Sequence, residues 1–283
     1  MKIILSRKGF DSANGGCPSP IIGEEMISLP IPSHDDLSFS GVQYDGLSYL
    51  DMLRTWNKKG TYEHLCCRCG ETCAYGCHLD PDIRKEARCN PPPGWKPAFG
   101  QIGNAQKYLK KCEVGEGDLF LFFGWFQEGA FNGAKQLVPA NKRKIQAVYG
   151  YMQIGEVLSC SREGDRERIE REYPWHPHSS KERLRDKSNT LYIPDGSGYG
   201  YGLLPYGIPK QVLTLKGANP ATWDQKEYPW LLDGLHFNRK NKAKHQKTGI
   251  YYQGIWQELV LDSVAATEWA LELIQQHSQE VHK

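Results

Sequence analysis

The densest apolar run in the chain is Leu119-Phe120-Leu121-Phe122-Phe123, opened by Gly117-Asp118 and continued by Gly124-Trp125-Phe126. A run this short and this aromatic predicts a strand buried on both faces. A second stretch, from Lys144 to Leu158, is β-branched and aromatic, with Gly150 and Gly155 at positions where a strand would bend or bulge. The two are expected to pair as a hairpin around a basic loop carrying Lys135, Lys142, Arg143 and Lys144. Shorter strands are predicted from Ile3 to Leu5, Thr190 to Ile193, Gln211 to Leu215 and Gln257 to Leu261. Helical spacing marks Leu47 to Leu53, Gln101 to Lys111, the densely charged Ser161 to Glu172, and an amphipathic stretch from an N-cap at Asp262 to about His277.

These elements predict an α+β fold, with a mostly antiparallel sheet or a partly closed β-barrel and helices packed at its edges. Residues 1–283 are expected to form one domain, with a cysteine-rich excursion at about 64–89. The 29 glycines and 17 prolines add many turns, and 39% apolar content with 11% aromatics fits a folded chain. The central hairpin resembles that of small barrels in the PUA-like group, which hold RNA or a modified base. The net charge is +2, so a nucleic-acid partner must be met by local patches rather than by a global basic field. The apolar start at Met1 to Leu5 is too short for a signal peptide, and no stretch approaches membrane-spanning length. The expectation is a cytoplasmic protein with no membrane contact, whose nine cysteines are thiols or metal ligands rather than disulfides.

Candidate chemistry begins at the first strand. Arg7 and Lys8 precede a loop of small residues and the glycine pair Gly15-Gly16, which either cradles an anion or forms a tight turn capped by Asp11. From His64 to His78 the chain carries five cysteines and two histidines. Cys66, Cys69, Cys73 and Cys77 either supply a structural zinc or remain reduced thiols. His78, Asp80 and Asp82 alternate, so an extended backbone puts them on one face, as a metal or an acid–base pair requires. An ordinary turn and helix N-cap is the plainer account of Asp80-Pro81-Asp82. His176 and His178 flank Pro177 and share a side if that segment is extended, beside Trp175 as a surface for a stacked base. Tyr199 and Tyr201 lie in a glycine–tyrosine loop that either covers a ligand or is a long hairpin. The segment from His236 to Lys247 carries Arg239, Lys240, Lys242 and Lys244 without an acid, the clearest local patch for phosphate contact.

The opening Lys2-Ile3-Ile4-Leu5-Ser6-Arg7-Lys8-Gly9-Phe10-Asp11-Ser12, with Pro18-Ser19-Pro20 and Ser28-Leu29-Pro30-Ile31-Pro32, resembles the nucleotide modification associated domain family, type three. Later blocks carry the same resemblance: Cys77-His78-Leu79-Asp80-Pro81-Asp82, Ala98-Phe99-Gly100-Gln101, the Gly117 to Phe126 strand, and Pro174-Trp175-His176-Pro177-His178. The resemblance implies a role beside phage and bacterial systems that modify DNA bases, without assigning a catalytic residue.

Two readings follow. In the first, the chain is an enzyme or accessory enzyme of base or nucleotide modification acting on DNA, RNA or a free nucleotide. Asp11, His78, Asp80, His176 and His178 are then its acid–base or metal groups. Arg7, Lys8, Gln101, Trp125, Trp175 and Tyr199 line the nucleotide pocket, and Lys142, Arg143, Lys144, Arg239, Lys240, Lys242 and Lys244 meet nucleic acid. In the second, it is a non-catalytic PUA-like reader of a modified base. Convergence of Asp11, His78 and His176 in one pocket would favour the enzyme; Trp125 and Trp175 facing a basic groove would favour the reader. No fingerprint for nicotinamide, flavin, methyl donor or nucleoside triphosphate is present, which leaves structural zinc as the one cofactor suggested.

Overall fold

A computed structural model describes residues 1–56, 76–232, 244–246, 249–252 and 257–280. The first strands are β1 (Ile3–Arg7), β2 (Ser19–Ile22), β3 (Glu25–Met26), β4 (Ile31–Pro32), β5 (Gln43–Tyr44) and β6 (Leu47–Ser48), followed by helix α1 (Tyr49–Trp56). The middle of the chain adds β7 (Cys77–His78), β8 (Phe99–Gln101), α2 (Gly103–Lys111), β9 (Leu119–Phe131) and β10 (Leu137–Ser159). Next come α3 (Asp165–Glu172), α4 (Lys181–Arg185), β11 (Thr190–Pro194), β12 (Tyr201–Leu203) and β13 (Thr222–Asp224). The last elements are β14 (Lys244–Gln246), β15 (Gly249–Tyr251), β16 (Glu258–Leu261) and α5 (Val264–Glu280).

The principal sheet runs in the order β16-β1-β9-β10-β11-β8, with β12 attached to β10 and β2 to β9. Its ladders are antiparallel except that β1 and β2 both run parallel to β9. The aromatic run is buried on both faces, as its pattern predicts. Leu119, Leu121 and Phe123 join a cluster with Ile3, Leu5, Trp223, Trp269 and Leu273. Phe120 and Phe122 face the other way, against Phe99, Leu109, Tyr149 and Tyr192. Alternation sends successive side chains to opposite faces, so an unbroken apolar run is what a doubly covered strand needs.

β10 is long because it serves three partners: residues up to Gln153 pair with β9, Gly150 to Met152 also with β12, and Ile154 to Ser159 with β11. The register slips between Val148 and Gly150 and between Ile154 and Glu156, beside the two glycines. A Cβ on Gly155 would sit 2.5 Å from the Asp195 Cα, so the chain crosses too closely for a side chain there. Lys142, Arg143 and Lys144, expected in a loop, lie within β10 across a register shift between Pro139 and Lys144. The turn itself is only residues 132–136, which Asn132 closes by accepting from the backbone N–H of Ala134 and Gln136.

This bending curls the sheet without closing it. The end strands β8 and β16 share no backbone ladder among the described residues, so the mostly antiparallel sheet is as expected and no closed barrel is found among them. Side chains bridge the seam instead: Gln101 Nε2 donates to Glu258 Oε1 at 2.6 Å, and Tyr108 Oη accepts from the Val260 N–H.

Three smaller expectations change. Gln211 to Leu215 is not a strand; isolated bridges from Val212 to Ala147 and from Thr214 to Trp223 send it to two partners in turn. The C-terminal helix is capped by Ser263, whose Oγ accepts from the Ala266 N–H, rather than by Asp262. Pro177–Ser179 forms a 3-10 turn rather than the extended segment that would have set His176 and His178 on one side. No helix among the described residues is long and apolar enough to cross a membrane.

Candidate active site

The seam opens into a cleft of about 310 Å³, lined by Arg7, Lys8, Asp11, Asn14, Gln101 and Arg183, with His78, Asp80 and His178. Each group reaches it for a local reason. In β7, alternation turns Cys77 into the core beside Phe39 and Leu53 and leaves His78 partly exposed in the cleft. Two residues on, Asp80 faces the same way, while Asp82 leaves that face for a buried pair with Arg88, at 2.7 Å. The segment after α3 brings up the other two histidines. His176 caps the 3-10 turn, its Nδ1 accepting from the His178 N–H at 3.2 Å, and Pro177 occupies the first turn position. Gly100 makes room for His178: a Cβ there would lie 2.2 Å from the imidazole ring.

Asp80 is the centre of the arrangement. Its Oδ1 accepts the Gly100 N–H at 2.8 Å and lies 3.4 Å from His176 Nε2. Its Oδ2 lies 3.8 Å from both His78 Nε2 and His178 Nε2. The far sides of both rings are tethered. His78 Nδ1 meets Asp35 Oδ2 at 2.7 Å, and Asp35 is itself clasped by Arg183. His178 Nδ1 meets Asn189 Oδ1 at 2.6 Å, while the Asn189 amide nitrogen donates to the His178 carbonyl and to Cys160 Sγ.

Burial alone would raise the Asp80 carboxyl, but His176, His178 and Lys8 outweigh it and hold the group far below the ordinary carboxylate range. Asp35 is likewise pulled down against its burial by His78 and Arg183. Burial lowers the His178 pKa from 6.5 to about 3, against the opposing pull of Asp80, so its imidazole is neutral. A neutral imidazole beside an ionised carboxylate can act as base or ligand, and His78, Asp80 and His178 present ligand atoms all within 4.8 Å of one another.

A second acceptor lies at the seam. Glu258 Oε1 collects Ser6 Oγ at 2.9 Å, Lys8 Nζ at 3.3 Å and Gln101 Nε2 at 2.6 Å, while Oε2 is buried without a partner among the described residues. The Lys8 ammonium also stands 4.2 Å from the Phe99 ring centroid.

His78, Asp80 and His178 therefore converge in the cleft that Arg7, Lys8, Gln101 and Asp11 line, while His176 reaches Asp80 from the wall of a neighbouring cleft. Asp11 is largely taken up by its turn. Its Oδ1 accepts from the N–H groups of Ala13 and Asn14, and its Oδ2 pairs with Arg7 at 3.3 Å. Trp175 lines a separate cleft of about 700 Å³ that shares Ser33 and Arg183 with the first. Trp125 lines neither; the Lys144 ammonium covers its ring at 5.0 Å. Tyr199 sits at the far end of the sheet, its N–H donating to Gln153, which pairs with Leu119 and so lies level with Ile3 rather than with Arg7. Cys66, Cys69, Cys73, Arg239, Lys240 and Lys242 lie outside the described residues. Cys77 is buried, with its thiol pushed up by desolvation, and Lys244 begins β14. Asp35, Arg183, Asn189 and Glu258 were not among the candidates. Only Asp35 gave a sequence signal, as one of the acids clustered at 35, 36 and 45.

The fold and cleft thus define an α+β protein with a buried histidine–aspartate centre at the mouth of a curled sheet. The family model described as nucleotide modification associated domain 3 matches residues 2–262, and the chain belongs to that family. No curated protein and no solved structure matches it.

Proposed function

We propose that this chain is an enzyme of nucleic-acid base or nucleotide modification, with His78, Asp80 and His178 as its reaction centre. The convergence of those three residues, from segments a hundred positions apart, at the floor of a cleft large enough for a nucleotide carries the reading. Arg7 and Lys8 on the wall supply cations for a phosphate, and Gln101, fixed by Glu258, shapes the opposite side. A base within a duplex has to be flipped out to reach such a centre. The β9–β10 arm extends past the Arg7 end of β1 and exposes Lys142, Arg143 and Lys144, a surface suited to a nucleic-acid backbone. DNA is the substrate polymer proposed, within a phage or bacterial modification system. A pure reader would need a free stacking platform in a basic groove; Trp125 lies away from the cleft under Lys144, which weighs against that alternative.

Nucleoside mass spectrometry of DNA and RNA from cells expressing the wild-type chain or Asp80→Ala tests the proposal. A nucleoside that changes with the wild type and not with the variant is expected. Identical profiles, alongside retained binding to a modified oligonucleotide, would replace the enzyme with the reader.

A further inference from the structure

The hydrogen bonds around the cluster fix which atoms carry lone pairs. Asp35, clasped by Arg183, offers only acceptors, so His78 Nδ1 donates to it, and in the neutral ring His78 Nε2 is left as an acceptor. The Asn189 amide nitrogen is committed to the His178 carbonyl, so its Oδ1 faces the ring; His178 Nδ1 donates, and His178 Nε2 is again an acceptor. Asp80 Oδ1 takes the Gly100 N–H, which leaves Oδ2 turned toward both imidazoles. Three acceptors therefore point at a common space, and among the described residues no donor reaches any of them. The Asp80 and His178 side chains are only 4% and 3% exposed and His78 14%, so the three acceptors meet solvent only through the cleft.

Two ordinary occupants fit poorly. A shared proton needs heavy atoms within about 3 Å, and these stand 3.8 Å apart. A water molecule has two hydrogens for three acceptors. A cation satisfies all three at once.

We propose that His78 Nε2, Asp80 Oδ2 and His178 Nε2 hold a single divalent first-row transition-metal ion, with its remaining coordination positions open to the cleft. This deepens the placement of the reaction centre argued above and rests on it. Two imidazoles with one carboxylate suit manganese, iron, cobalt or zinc rather than magnesium or calcium, which prefer all-oxygen sets. Ligand distances of about 2.0–2.2 Å draw the three atoms inward by a few tenths of an ångström. Asp35 and Asn189 are the partners that orient metal-bound histidines, and the Gly100 N–H does the same for the carboxylate.

The test is manganese(II) binding to the full chain after removal of bound metal with a chelator, followed by electron paramagnetic resonance. Manganese is chosen because thiolates, including the cysteine-rich segment, compete poorly for it. One ion per chain is expected, with Cys66→Ser/Cys69→Ser unchanged, Asp80→Asn and His178→Ala weakened at least a hundredfold, and Asn189→Ala weakened about 10–100-fold. Pulsed measurements on the wild type should show nitrogen couplings from two imidazoles, which keeps the test intact even if a variant fails to fold. No stoichiometric binding, or binding without imidazole coupling, overturns the inference. The two proposals fail separately: an unchanged nucleoside profile with manganese bound removes the enzyme alone, and a changed profile without manganese binding removes the metal alone.

Discussion

The β9–β10 hairpin and the seam between β8 and β16 are joined by different means. Along the inner half of the hairpin, peptide groups pair with peptide groups and apolar side chains fill both faces, so each residue needs only its neighbours and a correct alternation. At the seam, the Gln101 side chain reaches across to Glu258, whose carboxylate Ser6 and Lys8 hold from the β1 side, and the cluster beside it draws on segments near residues 35, 80, 100, 178 and 189. The hairpin tolerates exchange of one apolar group for another of similar volume. The seam tolerates less, because three donors gather on the single Glu258 Oε1 and lose a buried partner with it.

The contrast can be broken in four ways, in descending order of expected effect. Phe122→Ala removes a fully buried ring packed against Phe99 and should cost about 3–5 kcal/mol in denaturant unfolding. A loss below about 1 kcal/mol would mean that the hairpin core is looser than its packing shows. Gly100→Ala drives a methyl into the His178 ring and should cost about 1–3 kcal/mol, with manganese affinity falling more than tenfold. Unaltered affinity would show that the ring has room to move. Glu258→Gln should cost about 1–2 kcal/mol by weakening the hold on Lys8, and Gln101→Ala should cost less on that background than alone, because the two share a bond. Strict additivity would separate them. Gly133→Ala, in the hairpin turn with nothing within 4 Å of its added methyl, should stay within about 0.5 kcal/mol.

The hairpin was legible in the sequence because its information is local: a turn signal, an aromatic run and two glycines where the register slips. The site was legible only where two chemical residues stood close in sequence, as in His78-Leu79-Asp80 and His176-Pro177-His178. Asp35, Asn189 and Glu258 look like any loop or strand residue until the fold sets them against an imidazole or an ammonium. Trp125 and Tyr199 mislead for the opposite reason. Their rings are suited to stacking on a base, but strand register decides where a ring goes, and it takes Trp125 under Lys144 and Tyr199 to the far end of the sheet. The Cys-x2-Cys spacing at Cys66 and Cys69 falls on residues that are not described. Glycine was a weak signal at position 100, since nothing in the sequence distinguishes room for a histidine ring from an ordinary strand glycine.

A tube stitched entirely by peptide ladders has a fixed bore, because neighbouring strands stand about 4.8 Å apart whatever their side chains. Here the last stitch is one carboxylate holding a hydroxyl, an ammonium and an amide. One wall of the cleft is therefore set by side-chain length: exchanging Gln101 for a shorter or longer residue would move that wall without unpicking a strand. A guest of another size would call for a change at Gln101, at the cost of its bond to Glu258, on an unchanged frame.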